Sequence, residues 1–155
     1  MNRFLLRLFM SFFIFCSYGI VAQTAQNVEF KAVKYKPNVD APLTTNELSK
    51  IKEVYGDQTQ NIVLNDKAKV KRLKHLLRNR IRILKIDQAQ KHRNYTLLSE
   101  VELFSAYNPN LKRDVVFDRY GFNPLKYNLN FFPTQNVLYR MDGTNYFIQI
   151  KSQFQ

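Results

Sequence analysis

The sequence predicts an α+β domain: a small antiparallel β-sheet, a C-terminal meander ending in a hairpin, packed by two amphipathic helices. Three observations point there. Asp142-Gly143 is a two-residue turn signal between the apolar runs Val137 to Met141 and Asn145 to Lys151. Thr44-Thr-Asn-Glu47 fits a capping box ahead of Leu48, Ile51 and Tyr55, which recur at i, i+3, i+7. Val70, Leu73 and Leu77 mark a second helical stripe, flanked by Ala68 and Leu76.

Residues 1–22 read as a secretory signal peptide. Arg3 and Arg7 form a positive n-region, an apolar run follows from Leu8 to Cys16, and the stretch Ser17 to Ala22 closes it. The expected cut is Ala22–Gln23; Ile20, three before it, is not small, which leaves the cut open by a few residues. A retained anchor fits less well, because Leu8 to Ala22 falls short of the roughly 20 residues a spanning helix needs. A lipoprotein reading of Cys16 meets the bulky Phe15 before it. What remains, 23–155, is expected to be one α+β domain with 23–27 loose and no transmembrane span. The chain's one cysteine leaves with the signal, so a disulfide scaffold and Cys-ligated metals are excluded. Packing must supply the stability, and 16 Phe and Tyr residues beyond position 22 are there to do it.

Val28-Glu-Phe30 opens an alternation that slips at Ala32-Val33 and resumes at Tyr35, predicting a strand at 27–36 with a bulge. Pro37 and Pro42 bracket a loop. The capping box starts a helix at 45–55, with Leu43 and Leu48 placed as a hydrophobic staple and Gly56 as its stop. A loop at 57–60 and a short apolar lead-in at 61–64 follow. Asn65 is placed to cap the second helix, with Asp66 at its positive end. That helix has two possible ends. Leu84 continues the spacing of Leu77 and Ile81, so it could run to 86. Against this, Asn79 suits a left-handed stop, and Arg80-Ile-Arg-Ile83 alternates. The reading taken is a helix at 66–78 and a strand at 80–87. Val101 and Leu103 alternate within 97–104, an extended edge, and Asn108-Pro-Asn110 and Gly121 to Pro124 are turns. Tyr127, Leu129 and Phe131 alternate with asparagines as a strand that Pro133 stops. A two-residue turn pairs Met141 with Thr144, Tyr139 with Tyr146 and Val137 with Ile148. Leu138 and Phe147 then pair on the opposite face, exposed and available to a partner.

The charge is concentrated. Residues 66–93 carry eleven Lys/Arg against two Asp, while 23–65 is balanced and 94–155 nets +1. Lys67, Lys71, Lys74 and Arg78 recur at i, i+4, i+7, i+11, a continuous cationic ridge, with Arg80 and Arg82 beside it; Lys91 and Arg93 extend the run. These six residues, 67 to 82, are the candidate anion-binding face. The expected partner is an anionic envelope component (a lipid phosphate or headgroup, an acidic polysaccharide, extracellular DNA) or an acidic protein, met by charge attraction. A membrane surface is among these partners. Cytoplasmic nucleic acid is disfavoured by the signal peptide and by the absence of stacking aromatics from 66–94.

Other chemistry finds little support. His75 and His92 lack any HxxxH or acidic company, and neighbouring cations would repel a metal from His75. No G-x-S-x-G elbow and no Gly-rich phosphate loop is present, so no cofactor is expected. Glu100 and Glu102, on one face of an extended edge, could form an acid/base couple, or could sit solvated, or could neutralise the ridge. The reading is therefore an exported, non-enzymatic binding protein. The alternatives are a small envelope-polymer hydrolase or lyase using Glu100, Glu102 or a Tyr, and a subunit of an envelope assembly.

Leu98-Ser-Glu100, Tyr107-Asn-Pro109, Asn123-Pro-Leu-Lys-Tyr127 and Tyr139-Arg140 through Thr144, Tyr146 and Ile148 to Ile150 form a pattern. With Gln23 after Ala22, it resembles uncharacterised small exported proteins of Bacteroidetes. The resemblance implies a periplasmic, outer-membrane-associated or extracellular setting. It carries no catalytic or binding residue across.

Overall fold

A computed structural model describes residues 35–87 and 94–154 of the chain. The signal peptide expected at 1–22, residues 23–27 and all but the end of the strand expected at 27–36 lie outside these residues, as do Lys91, His92 and Arg93. Residues 35–36 carry no β-pairing and lead into a short 3-10 turn, Pro37–Val39.

Helix α1, Thr45–Tyr55, begins at the expected capping box. The Glu47 amide donates to Thr44 Oγ1 at 3.2 Å, and the Thr44 amide donates to Glu47 Oε2 at 2.8 Å. Gly56, at φ 52, ends the helix in a conformation that only glycine adopts without strain. The helix buries Ile51, Val54 and Tyr55; Leu48, expected on that stripe, is only half-buried, and Val54 takes its place. The loop expected at 57–60 and the lead-in at 61–64 are instead helical turns, a 3-10 turn at Gly56–Gln58 and a π turn at Gln60–Leu64. The wide π turn rotates Val63 fully into the core. Helix α2, Lys67–His75, is capped by Asp66, whose Oδ1 accepts from the Lys69 amide at 3.0 Å; Asn65 instead accepts from the Gln60 side chain at 2.7 Å.

After α2 the chain makes a second π turn, Leu76–Arg80, and enters strand β1, Ile81–Lys85. The helix does not run to 86. Its stop is not a left-handed Asn79, because no described residue other than glycine has positive φ. The Ile81 amide donates to the Leu76 carbonyl, which closes the turn as the chain becomes extended. Strand β2, Thr96–Leu97, is short and gives way to a 3-10 turn, Leu98–Glu100, where a longer extended edge was expected.

Strands β3, Val137–Arg140, and β4, Tyr146–Ile150, form the C-terminal hairpin. The sheet order is β1-β4-β3-β2, antiparallel except for the parallel β2–β3 pair. The register differs from the expected one by two residues: Tyr139 faces Ile148 and Val137 faces Ile150. The Met141 amide donates to the Tyr146 carbonyl at 2.9 Å, so the loop holds four residues, Asp142 to Asn145. The Thr144 amide and hydroxyl both donate to the Met141 carbonyl, at 3.2 and 3.0 Å, and the Thr144 hydroxyl accepts from the Tyr146 amide at 3.0 Å, which keeps Thr144 inside the loop. A slip of two leaves every side chain on its expected face. The exposed Leu138–Phe147 pair does not exist: Phe147 faces Arg140 and is fully buried, its ring edge-on to Tyr95 at 4.9 Å. Residues 127–131 alternate between buried and exposed as read, yet form only one bridge, Tyr127 to Leu103, and no strand.

One core cluster lies on the sheet, where Tyr139, Met141, Ile148 and Ile150 pack with Leu98, Val101, Phe122, Tyr127 and Leu129. A second gathers Ile51, Val54, Tyr55, Val63 and Leu76 around Leu125. Ile81 and Phe131 pack against both and join helices to sheet. No helix among the described residues is long and apolar enough to cross a membrane.

Candidate functional site

The ridge expected at Lys67, Lys71, Lys74 and Arg78 is not a solvent face, because the segment Asn38–Pro42 lies against it. Lys74 is buried and donates from Nζ to the Ala41 carbonyl at 2.8 Å. Arg78 donates to the carbonyls of Asn38, Ala41 and Pro42, and its fork grips both Glu47 oxygens at 2.6 Å. Lys71 pairs with Asp40 at 3.2 Å and sits 5.4 Å over the Tyr35 ring. Arg80 is also buried; its Nη2 donates to the Lys151 carbonyl at 2.8 Å, and its guanidinium lies 5.6 Å over Phe132. Of the six candidate residues, only Lys67 and Arg82 are exposed. The cause is local chemistry. The stretch Asn38–Pro42 turns its carbonyls outward from a proline-bounded loop, and long cationic side chains are the donors that satisfy them.

Besides the exposed Lys67, the basic residues of α2 without a carboxylate partner point the other way. At 100° per residue, Lys69 and Arg72 fall on the flank opposite the ridge, together with Leu73 and Leu76. Neither has a carboxylate within ion-pair reach among the described residues. Lys69 Nζ is held over two rings, 5.3 Å from Tyr55 and 5.8 Å from Tyr107. This pair stands at the rim of a cleft of about 280 Å³ between α2 and the 125–132 segment. Leu73, Leu76, Leu125, Phe104 and Phe131 form its floor, and the exposed ring of Phe132 forms its outer wall. Among the described residues no Asp or Glu lines it. The spacing i, i+3, i+4, i+7 of Lys69, Arg72, Leu73 and Leu76 is visible in the sequence. It is masked there by the stronger i, i+4, i+7, i+11 row of cations.

Glu100 and Glu102 do not form a couple. Glu100 lies in the 3-10 turn and accepts from the Leu97 amide at 3.0 Å; both are exposed, and neither reaches a ridge cation. A smaller cleft of about 100 Å³ does hold two carboxylates, Asp114 and Asp142. Both are occupied: Asp114 takes bonds from Lys126 Nζ and the Tyr127 hydroxyl, and Asp142 from the Ser99 amide and hydroxyl. Burial pushes the Asp142 carboxyl up, but the hydrogen bonds it accepts, those of Ser99 foremost, outweigh this and hold it below its usual range. The cleft is also well under the few hundred Å³ typical of ligand sites.

His75 is buried, edge-on to Tyr35 at 4.9 Å, with Asn79 Nδ2 3.3 Å from its Nδ1. Burial first, then the charges of Arg80 and Lys36, lower its pKa. Among the described residues no group of three His, Cys, Asp or Glu side chains is placed to hold a metal. Comparison with known proteins finds no matching family model, no matching curated protein and no matching solved structure.

Proposed function

We propose that this is an exported, non-enzymatic binding protein of the bacterial envelope that engages an anionic partner through the basic flank of α2. The observation that carries the proposal is the contrast within one helix. Lys71, Lys74 and Arg78 are consumed by the fold, whereas among the described residues Lys69 and Arg72 have no ion-pair partner and no Asp or Glu lines the cleft beside them. Unpaired cations at a concave rim focus a positive potential outward. The exported setting rests on the leader Met1 to Ala22 and on the resemblance to small exported proteins of Bacteroidetes.

Retention on anionic liposomes, eluted with a salt gradient, tests the proposal. Lys69→Glu/Arg72→Glu is expected to elute at clearly lower salt than the unmodified protein, because each exposed charge contributes through a screened field. Lys74→Gln is expected to change stability instead. Elution of the double variant at an unchanged salt concentration would sink the proposal.

A further inference from the structure

We infer that the cleft behind Lys69 and Arg72 is a site for a single-chain anionic amphiphile, a free acyl carboxylate of about seven or eight carbons. The inference rests on the proposed anionic partner and names its chemical class.

Three features of the cleft converge on that class. The floor is apolar, so a purely ionic polymer such as a polysaccharide or a nucleic acid backbone would leave it unfilled. Among the described residues the rim carries two cations and no carboxylate, so a neutral hydrocarbon would leave the charges unanswered. A carboxylate can accept charge-assisted bonds from both Lys69 and Arg72 while its chain runs inward past Leu73 and Leu76. The site is also built in advance. Phe132 keeps 61% of its surface in water, yet its ring is backed by the buried Arg80 guanidinium. Arg80 is itself fixed from both sides of Lys151: the Lys151 amide donates to the Arg80 carbonyl at 2.9 Å, and Arg80 Nη2 donates to the Lys151 carbonyl. The outer wall is therefore an aromatic plate clamped by the end of the sheet.

Size selects the chain length. At roughly 30 Å³ for each heavy atom, the share one water takes in the liquid, a cavity of about 280 Å³ accepts on the order of nine. A whole two-chain lipid does not fit, but one short acyl chain does. Each buried methylene is worth about fourfold in affinity.

Calorimetric titration of the purified protein with octanoate, hexanoate and octanol, all below micellar concentrations, tests the inference. Octanoate is expected to bind, hexanoate about fifteenfold more weakly, and octanol about tenfold more weakly. Lys69→Ala/Arg72→Ala should bring octanoate down to the octanol level and leave octanol unchanged. Phe132→Ala, at an exposed ring whose removal leaves both cores intact, should weaken both ligands alike. Equal affinities for octanoate and hexanoate, or for octanoate and octanol, would overturn it. If liposome retention responds to the charge-reversal pair while octanoate shows no heat at all, the docking proposal stands and the amphiphile site falls. If octanoate binds as described while retention is indifferent to that pair, surface docking falls and the amphiphile site stands.

Discussion

Arg78 and Glu47 form a forked ion pair across 31 residues of chain, with Nε and Nη2 each 2.6 Å from a different carboxylate oxygen. The same Glu47 closes the capping box of α1 through the Thr44 amide. One carboxylate thus caps one helix and anchors the other. Both side chains are largely buried, at 14% and 11% exposed. Removing one partner leaves the other charge in a poor solvent, so Arg78→Ala is expected to cost about 2–4 kcal/mol by urea denaturation. Glu47→Gln, which keeps part of the cap, should cost less.

Glu47 and His75, with Asp142 acting beside Glu47 in the acid range, set the pH dependence of stability. The Arg78 hydrogen bond outweighs burial and holds the Glu47 carboxyl below its usual range. A depressed carboxyl stabilises the fold above its unfolded pKa, and that stabilisation disappears as pH falls through the lower, folded value. His75 acts at milder pH. Its pKa is lowered by burial and by Arg80 and Lys36, so the unfolded chain takes up the proton first. Stability should therefore decline as pH drops below about 6.5. Urea midpoints measured from pH 7.5 to 3 are expected to fall in two stages. His75→Gln should flatten the first, and Glu47→Gln the second.

Lys126 is buried, with Nζ 2.6 Å from Asp114 and 3.1 Å from Glu53. Burial alone would lower its pKa, but the two carboxylates outweigh it and the value is raised. Either carboxylate suffices to keep the ammonium paired. The Glu53→Ala/Asp114→Ala double variant is therefore expected to lose more stability than the two single variants together. A double-mutant cycle in urea should show coupling on the order of 1–3 kcal/mol. Strict additivity would contradict the shared-partner arrangement.

Phe147 lies on the sheet face opposite the main cluster and is nevertheless fully buried against Tyr95. Phe147→Ala is expected to cost about 3–5 kcal/mol, as for other core phenylalanines. Leu138→Ala, at a half-buried position of β3, should cost clearly less. Thermal or urea unfolding of the two variants separates these outcomes.

What the sequence discloses here depends on how far a signal reaches. The capping box from Thr44 to Glu47 spans four residues, and it is found where the residues place it. The hairpin faces also survive, because alternation is a property of each strand alone. The register does not, since the Thr144 hydroxyl donates to the Met141 carbonyl and accepts from the Tyr146 amide, bonds that a dipeptide rule for Asp142-Gly143 omits. The cationic row on α2 fails for a different reason. Helical spacing puts Lys71, Lys74 and Arg78 on one line, but whether that line meets water is decided by Asn38–Pro42, over thirty residues upstream. The cleft is beyond sequence reading for the same reason, as its walls come from α1, α2, Phe104 and the 125–132 segment.

The way Lys74, Arg80 and Lys126 are tucked inside bears on how the molecule will behave at the bench. Its isoelectric point of about 9.9 counts every basic group equally. An ion-exchange resin samples only the groups it can touch, so binding to it should be weaker than that figure suggests. Amine-reactive reagents should likewise modify Lys67 and Lys52 rapidly and leave Lys74 and Lys126 untouched until the protein is denatured.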